Sequence, residues 1–191
     1  SSSAASDVYK RQVMEARTEG ATTTYYVKIG PGDYSSYLSS TFANKKEIED
    51  ADAYIKDIRN QVMSILGPYN NAMKIKVVNE WMIDNLSYEN IEGNNNKYNL
   101  YGAIVETKVV CEGYARMFKY IMDGLNIPCI LVSGTATNSE GETELHAWNY
   151  VELNGQWYAV DVTWNDPVVI GEGELTCLLY TSPSPRDRQK S

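Results

Sequence analysis

Histidine is nearly absent from this chain: 191 residues include one, His146, beside three cysteines. A lone imidazole with no second ligand at close spacing lacks the pattern of a metal site, because such sites draw on several nitrogen or sulfur donors. Long apolar runs are missing too. Nothing reaches the roughly 18 apolar residues that a membrane-crossing helix needs, so no membrane insertion is expected. Clusters of Lys and Arg are also missing, and 25 acidic against 17 basic side chains leave a net charge of −8. A chain of that sign repels phosphate backbones and anionic lipid, which excludes nucleic acid as a partner. Internal repeats are lacking as well, and the length suits one hydrophobic core.

The two ends differ in character from what lies between them. SSAASDVYKRQ, Ser2 to Gln12, and CLLYTSPSPRD, Cys177 to Asp187, resemble in-frame translations of sequencing-library adapters, and the RQKS that follows fits the same readthrough. On that reading residues 1–12 and 177–191 are artefact and stand outside the fold. Removing them takes away five basic and two acidic side chains, moves the net charge from −8 to −11 and leaves Cys111 and Cys129 as the thiols. Two cysteines make no disulfide framework.

Between the ends, ATTTYYVKIG (Ala21 to Gly30) reads as a strand, rich in Thr, Tyr and Val. Residues 13–43 then hold this strand and a linker. A helix is expected from Asn44, which can cap it, to Leu66, with Ile48, Ala51, Ile55, Ile58, Val62 and Ile65 inward and Gly67-Pro68 as the stop. A second, about Asn71 to Leu86, would bury Met73, Val77, Trp81 and Met82. Gly93 to Asn96 reads as a surface connector, since Asn and Gly favour turns. After the apolar stretch Tyr98 to Val105 comes a third helix entered at Cys111, with Ala115, Phe118, Met122 and Leu125 on one face. CILVSGTA, containing Cys129, alternates as a strand. LHAWNYVEL and QWYAVDVTW flank Asn154-Gly155, a strong hairpin signal. Helices followed by strands imply an α+β fold with an antiparallel sheet.

The chemistry lies in three residues. A thiol attacks as thiolate, and a helix N-terminus or a neighbouring imidazolium lowers its pKa from about 8.5. Cys111 meets the first condition and His146 can meet the second. A two-residue turn at Asn154-Gly155 pairs Leu153 with Gln156 and, further out, Trp148 with Asp161 and His146 with Thr163. His146 and Asp161 become diagonal neighbours on one face, about 7–8 Å apart at the backbone, within hydrogen-bonding reach of their side chains. Such a carboxylate fixes the imidazole tautomer.

YGAIVETKVVCEGYARMFKYIMDGLNIPCILVSGTA and HAWNYVELNGQWYAVDVTWNDP, spanning Tyr101 to Pro167, resemble the bacterial transglutaminase-like superfamily, distantly related to papain-like proteases. The resemblance implies Cys111 as nucleophile, His146 as base and Asp161 as the group that orients the histidine. It also implies a catalytic domain at residues 44–176, C-terminally truncated, a peptide or protein substrate, no cofactor, and a bacterial surface or secreted setting. The implied reaction is acyl transfer or hydrolysis at an amide through a thioester, as peptidase or amidase before cross-linking enzyme. The alternative of another class is a non-catalytic cell-surface or cell-wall binding module on the same fold. Blander readings stand beside the sharp one. A Cys111–Cys129 disulfide would silence the nucleophile, Trp148 and Trp164 could line a groove or stiffen the sheet, Tyr101 fits core packing, and Asp166 fits a turn before Pro167.

Overall fold

The computed structural model describes residues 11–30, 37–38, 42, 44–137 and 143–165. Both long helices start where an asparagine satisfies an orphan backbone donor. At α1 (Lys45–Leu66) the Glu47 N–H donates to Asn44 Oδ1 at 3.1 Å, and at α2 (Asn71–Asn85) the Met73 N–H donates to Asn70 Oδ1 at 2.9 Å. On α1 the buried residues are Ile48, Ala51, Ile55, Val62 and Leu66. The stripe closes at Leu66, one helical turn after Val62, so Ile65, expected inside, is 67% exposed. On α2 the expected face is rotated: Ile75, Val78, Asn79 and Met82 are buried, Val77 and Trp81 only partly, and Met73 is exposed. Apolar side chains run along more than one stripe of this helix, so periodicity alone could not choose between them.

Between α2 and the third helix the chain makes β3 (Ser87–Tyr88) and β4 (Lys108–Val109), a parallel pair with Tyr88 opposite Val109. Of residues 93–96, expected at the surface, Gly93 is exposed and Asn94 and Asn95 are half-buried, but Asn96 is inside. A 3-10 turn at Asn95–Tyr98 and a π-helical turn at Gly102–Glu106 bury Asn96 and Asn99 almost completely. Asn94 and Asn96 donate their amides to Glu106 at 2.8 and 2.7 Å, and the Gly102 N–H donates to Asn99 Oδ1 at 3.1 Å. Asparagine both donates and accepts, so the residues that suit turns also satisfy a tight buried one. Gly102 is needed there, because a Cβ would lie 1.9 Å from the Asn96 carbonyl oxygen.

The third helix, α3 (Cys111–Gly124), is the centre of the molecule and buries Tyr114, Ala115, Met117, Phe118, Ile121 and Met122. Three antiparallel strands in the order β5-β6-β7 pack beside it: β5 (Cys129–Thr137), β6 (Thr143–Leu153) and β7 (Gln156–Val160). Helices over an antiparallel sheet make the α+β fold expected. Asn154 at φ 53° and Gly155 at φ 79° form the tight turn between β6 and β7, and Leu153 pairs with Gln156 as the turn dictates. That register holds to Asn149 opposite Val160, where β7 stops. The Trp148–Asp161 and His146–Thr163 pairings therefore do not form. The chain turns instead into a short helix, α4 (Val162–Asn165), because Asp161 caps it with its own side chain.

Near the N-terminus, β2 (Thr22–Gly30) pairs antiparallel with β1 (Arg11–Glu19), a partner strand that the sequence did not announce. This hairpin takes in Arg11 and Gln12 from the stretch set aside for its likeness to a translated adapter. Residues 1–10 and 166–191, with Asp166, Pro167 and Cys177 among them, lie outside the described residues. Among the described residues no helix is long and apolar enough to cross a membrane.

Candidate active site

Cys111 is the first residue of α3, preceded by Val110 in extended conformation. Its approach is held from two sides. The Ser87 N–H donates to the Thr107 carbonyl at 2.9 Å and the Glu89 N–H to that of Val109 at 3.0 Å, while the Val110 N–H donates to the Lys97 carbonyl at 3.1 Å. Gly113 permits this packing, since a Cβ there would come within 2.6 Å of Val109 Cβ and 2.7 Å of the Lys97 carbonyl oxygen. The thiol thus sits where the backbone donors of a helix start are unpaired and the helix dipole favours negative charge. Cys111 is partly exposed and Cys129 buried, and both are free thiols, so the disulfide alternative is not what the structure holds. Burial pushes the Cys129 thiol up to about 12, which keeps it protonated at neutral pH.

His146 lies on β6, 4% exposed. Its Nε2 is 2.6 Å from Asp161 Oδ2. An ionised carboxylate only accepts, so Nε2 carries the hydrogen and Nδ1 is left for another partner. Burial disfavours the charged ring, but hydrogen bonding to Asp161 and to Cys111, with the charge of each, prevails and raises the His146 pKa from 6.5 to about 9. The structure thus brings Cys111, His146 and Asp161 together, although Asp161 arrives from the cap of α4 and not from a continuing strand. Asp161 uses both oxygens: Oδ2 meets the imidazole and Oδ1 accepts the Trp164 N–H at 3.1 Å.

Two residues that sequence reasoning passed over bear on the elements that carry these three. Asn149, almost fully buried, donates its amide to the Ala115 carbonyl at 3.0 Å and so ties the histidine strand to the cysteine helix. The signal was there: a polar residue inside the apolar run that follows His146. Tyr88 stacks on Tyr114 with ring centroids 6.5 Å apart. Burial first, then the charges of Cys111 and Glu144, raise the pKa of its hydroxyl. Trp148 and Trp164 both stack on the His146 ring, at 5.9 and 4.9 Å between centroids. Tyr101 packs partly buried against the core, away from this cluster. Among the described residues, no group of three or more His, Cys, Asp or Glu is placed to hold a metal ion.

Comparison with known proteins gives three findings. Residues 57–162, more than half of the chain, match the family described as the Transglutaminase-like superfamily. The kyphoscoliosis peptidases of Mus musculus and Homo sapiens are each 25% identical to it over 157 residues, covering 73% of this chain and 23% of theirs. The chain therefore spans about a quarter of the length of these curated relatives. A crystal structure of a TGase superposes with a TM-score of 0.53 at 14% identity, covering 98% of this chain and 50% of that one, which is a likeness of fold.

Proposed function

The chain belongs to the transglutaminase-like superfamily, and from that premise we propose that it carries out cysteine-dependent acyl transfer at peptide or protein amides. The observation that carries the reading is one arrangement: a partly exposed thiol at a helix start, beside an imidazole whose Nε2 is 2.6 Å from a carboxylate. Cys111 acts as nucleophile, His146 as base and Asp161 as the group that fixes the ring. Residues 44–176 form the catalytic domain on this reading.

The steps follow from proton positions. His146 takes the Cys111 proton, and the thiolate adds to the amide carbonyl, placing negative charge on its oxygen. The Cys111 backbone N–H, with no acceptor inside its own helix, can donate to that oxygen; losing one such donor typically costs about 2.7–4 kcal/mol in the transition state. The tetrahedral intermediate collapses as the imidazolium gives its proton to the departing amine, leaving a thioester on Sγ. Water or an amine then attacks, His146 accepts its proton, and the thiolate departs. Asp161 keeps the ring in the tautomer that each transfer requires. Hydrolysis in the manner of a peptidase or amidase is preferred to cross-linking.

Iodoacetamide at about pH 6 tests this reading. A free thiol is then almost entirely protonated, so Cys111 should alkylate much faster than a small thiol in the same tube, with Cys129 as the slow internal control. Equal rates for Cys111 and the small thiol, in folded protein, would remove the chemical basis and favour a binding module on the same fold.

A further inference from the structure

The imidazole at the centre of the site is buried, yet the side chain lying against it is not. His146 is 4% exposed, whereas Trp164, stacked on it at 4.9 Å and 20° between planes, is 50% exposed. The indole is therefore the layer between the ring and solvent on that side. Its seat is rigid. The Trp164 N–H is bonded to Asp161 Oδ1, the Asn165 N–H donates to the Asp161 carbonyl at 3.0 Å, and the Asn165 amide donates to Asn79 Oδ1 on α2 at 3.0 Å. A second indole, Trp148, lies nearly parallel to the imidazole at 18° and 5.9 Å. It reaches that place across Gly134, the β5 partner of His146, where a Cβ would stand 3.0 Å from the far edge of the indole. A half-exposed tryptophan bonded through its backbone to the same carboxylate that orients the histidine is more than sheet packing requires.

We propose that Trp164 is a positioning residue of the acyl-transfer site: it covers one face of the His146 ring, excludes water from the bond to Asp161 and holds the protonated ring beside Cys111 by cation–π attraction. The proposal rests on the functional reading above for its consequence in turnover, but its physical content does not. The ionisable groups facing the ring are Asp161 at the β7–α4 junction and Cys111 on α3; Trp148 on β6, Trp164 on α4 and Gly134 on β5 bring no charge. Tyr88 on β3 feels the charges of Cys111 and of Glu144 on β6. An indole over an imidazolium favours the charged form, so its removal lowers the pH at which the ring loses its proton.

The chain has one histidine, which makes its proton resonances unambiguous in an NMR titration. Trp164→Leu keeps apolar bulk without a ring, and Trp164→Phe keeps a smaller ring. The His146 midpoint should fall by about 0.4–1.5 pH units in the leucine variant and by less in the phenylalanine variant. The alkaline limit of turnover of an activated ester probe should move with it, with kcat reduced and KM little changed. An unmoved midpoint, or a raised KM with an unmoved midpoint as a groove wall would give, overturns the proposal. A shifted midpoint in a protein that never acylates Cys111 would sink the functional reading and leave the positioning role standing. The wild-type chain supplies a measurement that needs no variant: the His146 ring protons should resonate upfield of their unstructured position, and unshifted protons would refute the stacking on which the proposal stands.

Discussion

Replacing Asp161 by Asn removes one charge and leaves a side chain that can still accept a hydrogen bond. In the native chain the Asp161 carboxylate is 2.6 Å from Nε2 of a buried ring, and it is the principal group working against the burial that would otherwise discharge that ring. The His146 pKa stands raised from 6.5 to about 9. At about 1.4 kcal/mol per pH unit, this corresponds to roughly 3 kcal/mol favouring the protonated ring in the folded state. A group whose folded pKa lies above its unfolded one contributes stability fully present below the unfolded value and lost as pH rises through the folded one. The wild-type chain should therefore lose up to that amount between pH 6.5 and about 9. In Asp161→Asn, burial is opposed only by Cys111, by the stacked indoles and by the weaker hydrogen bond that an uncharged amide oxygen accepts. The His146 midpoint should fall by about one unit or more, and the loss of stability across this interval should shrink in proportion. NMR titration of the single histidine reads the first, and urea unfolding at about pH 6 and pH 9 reads the second. An unchanged midpoint in the variant would refute the assignment of Asp161 as the source of the shift.

Three further substitutions have directions set by the geometry. Gly113→Ala drives a methyl against Val109 and the Lys97 carbonyl oxygen, so it should cost about 1–3 kcal/mol or more in urea unfolding and slow Cys111 alkylation, because the start of α3 must move. Gly155→Ala meets no atom but must keep φ 79°, so about 1–2 kcal/mol of stability should be lost with Cys111 reactivity unchanged. Asn149→Ala strips the Ala115 carbonyl of a buried donor and should destabilise by about 1–3 kcal/mol, measured by the shift in urea midpoint.

How the site was legible in the sequence depends on which force fixed each part. Asn44 as a cap and the spacing from Ile48 to Val62 are local facts, so α1 appears almost as read. The β6–β7 register is likewise local, because Asn154-Gly155 admits few turn geometries and each later pairing follows from the first. Asp161 was identified by the family resemblance and by a strand pairing that does not occur. The cap of α4 competes with the strand for the same aspartate and takes it, yet leaves Oδ2 pointing at the imidazole. The face of α2 was misread because neighbours decide between two apolar stripes, and that information is not local. The buried asparagine at 96 was misread for a related reason: composition reports what a residue tolerates, whereas burial depends on whether its hydrogen-bonding positions find partners. Asn149 belongs with it, a polar side chain whose partner sits 34 residues away on another element.

The central claim is that Cys111 forms a covalent acyl intermediate with the help of His146. Intact-mass spectrometry of the folded chain after brief exposure to an activated ester tests it most directly, followed by peptide mapping. One acyl group should appear, located on Cys111, and it should be absent from Cys111→Ala and much slower to form in His146→Ala, with both variants still folded. An acyl group of equal amount in Cys111→Ala, or one placed on Cys129 in the native chain, would contradict the account.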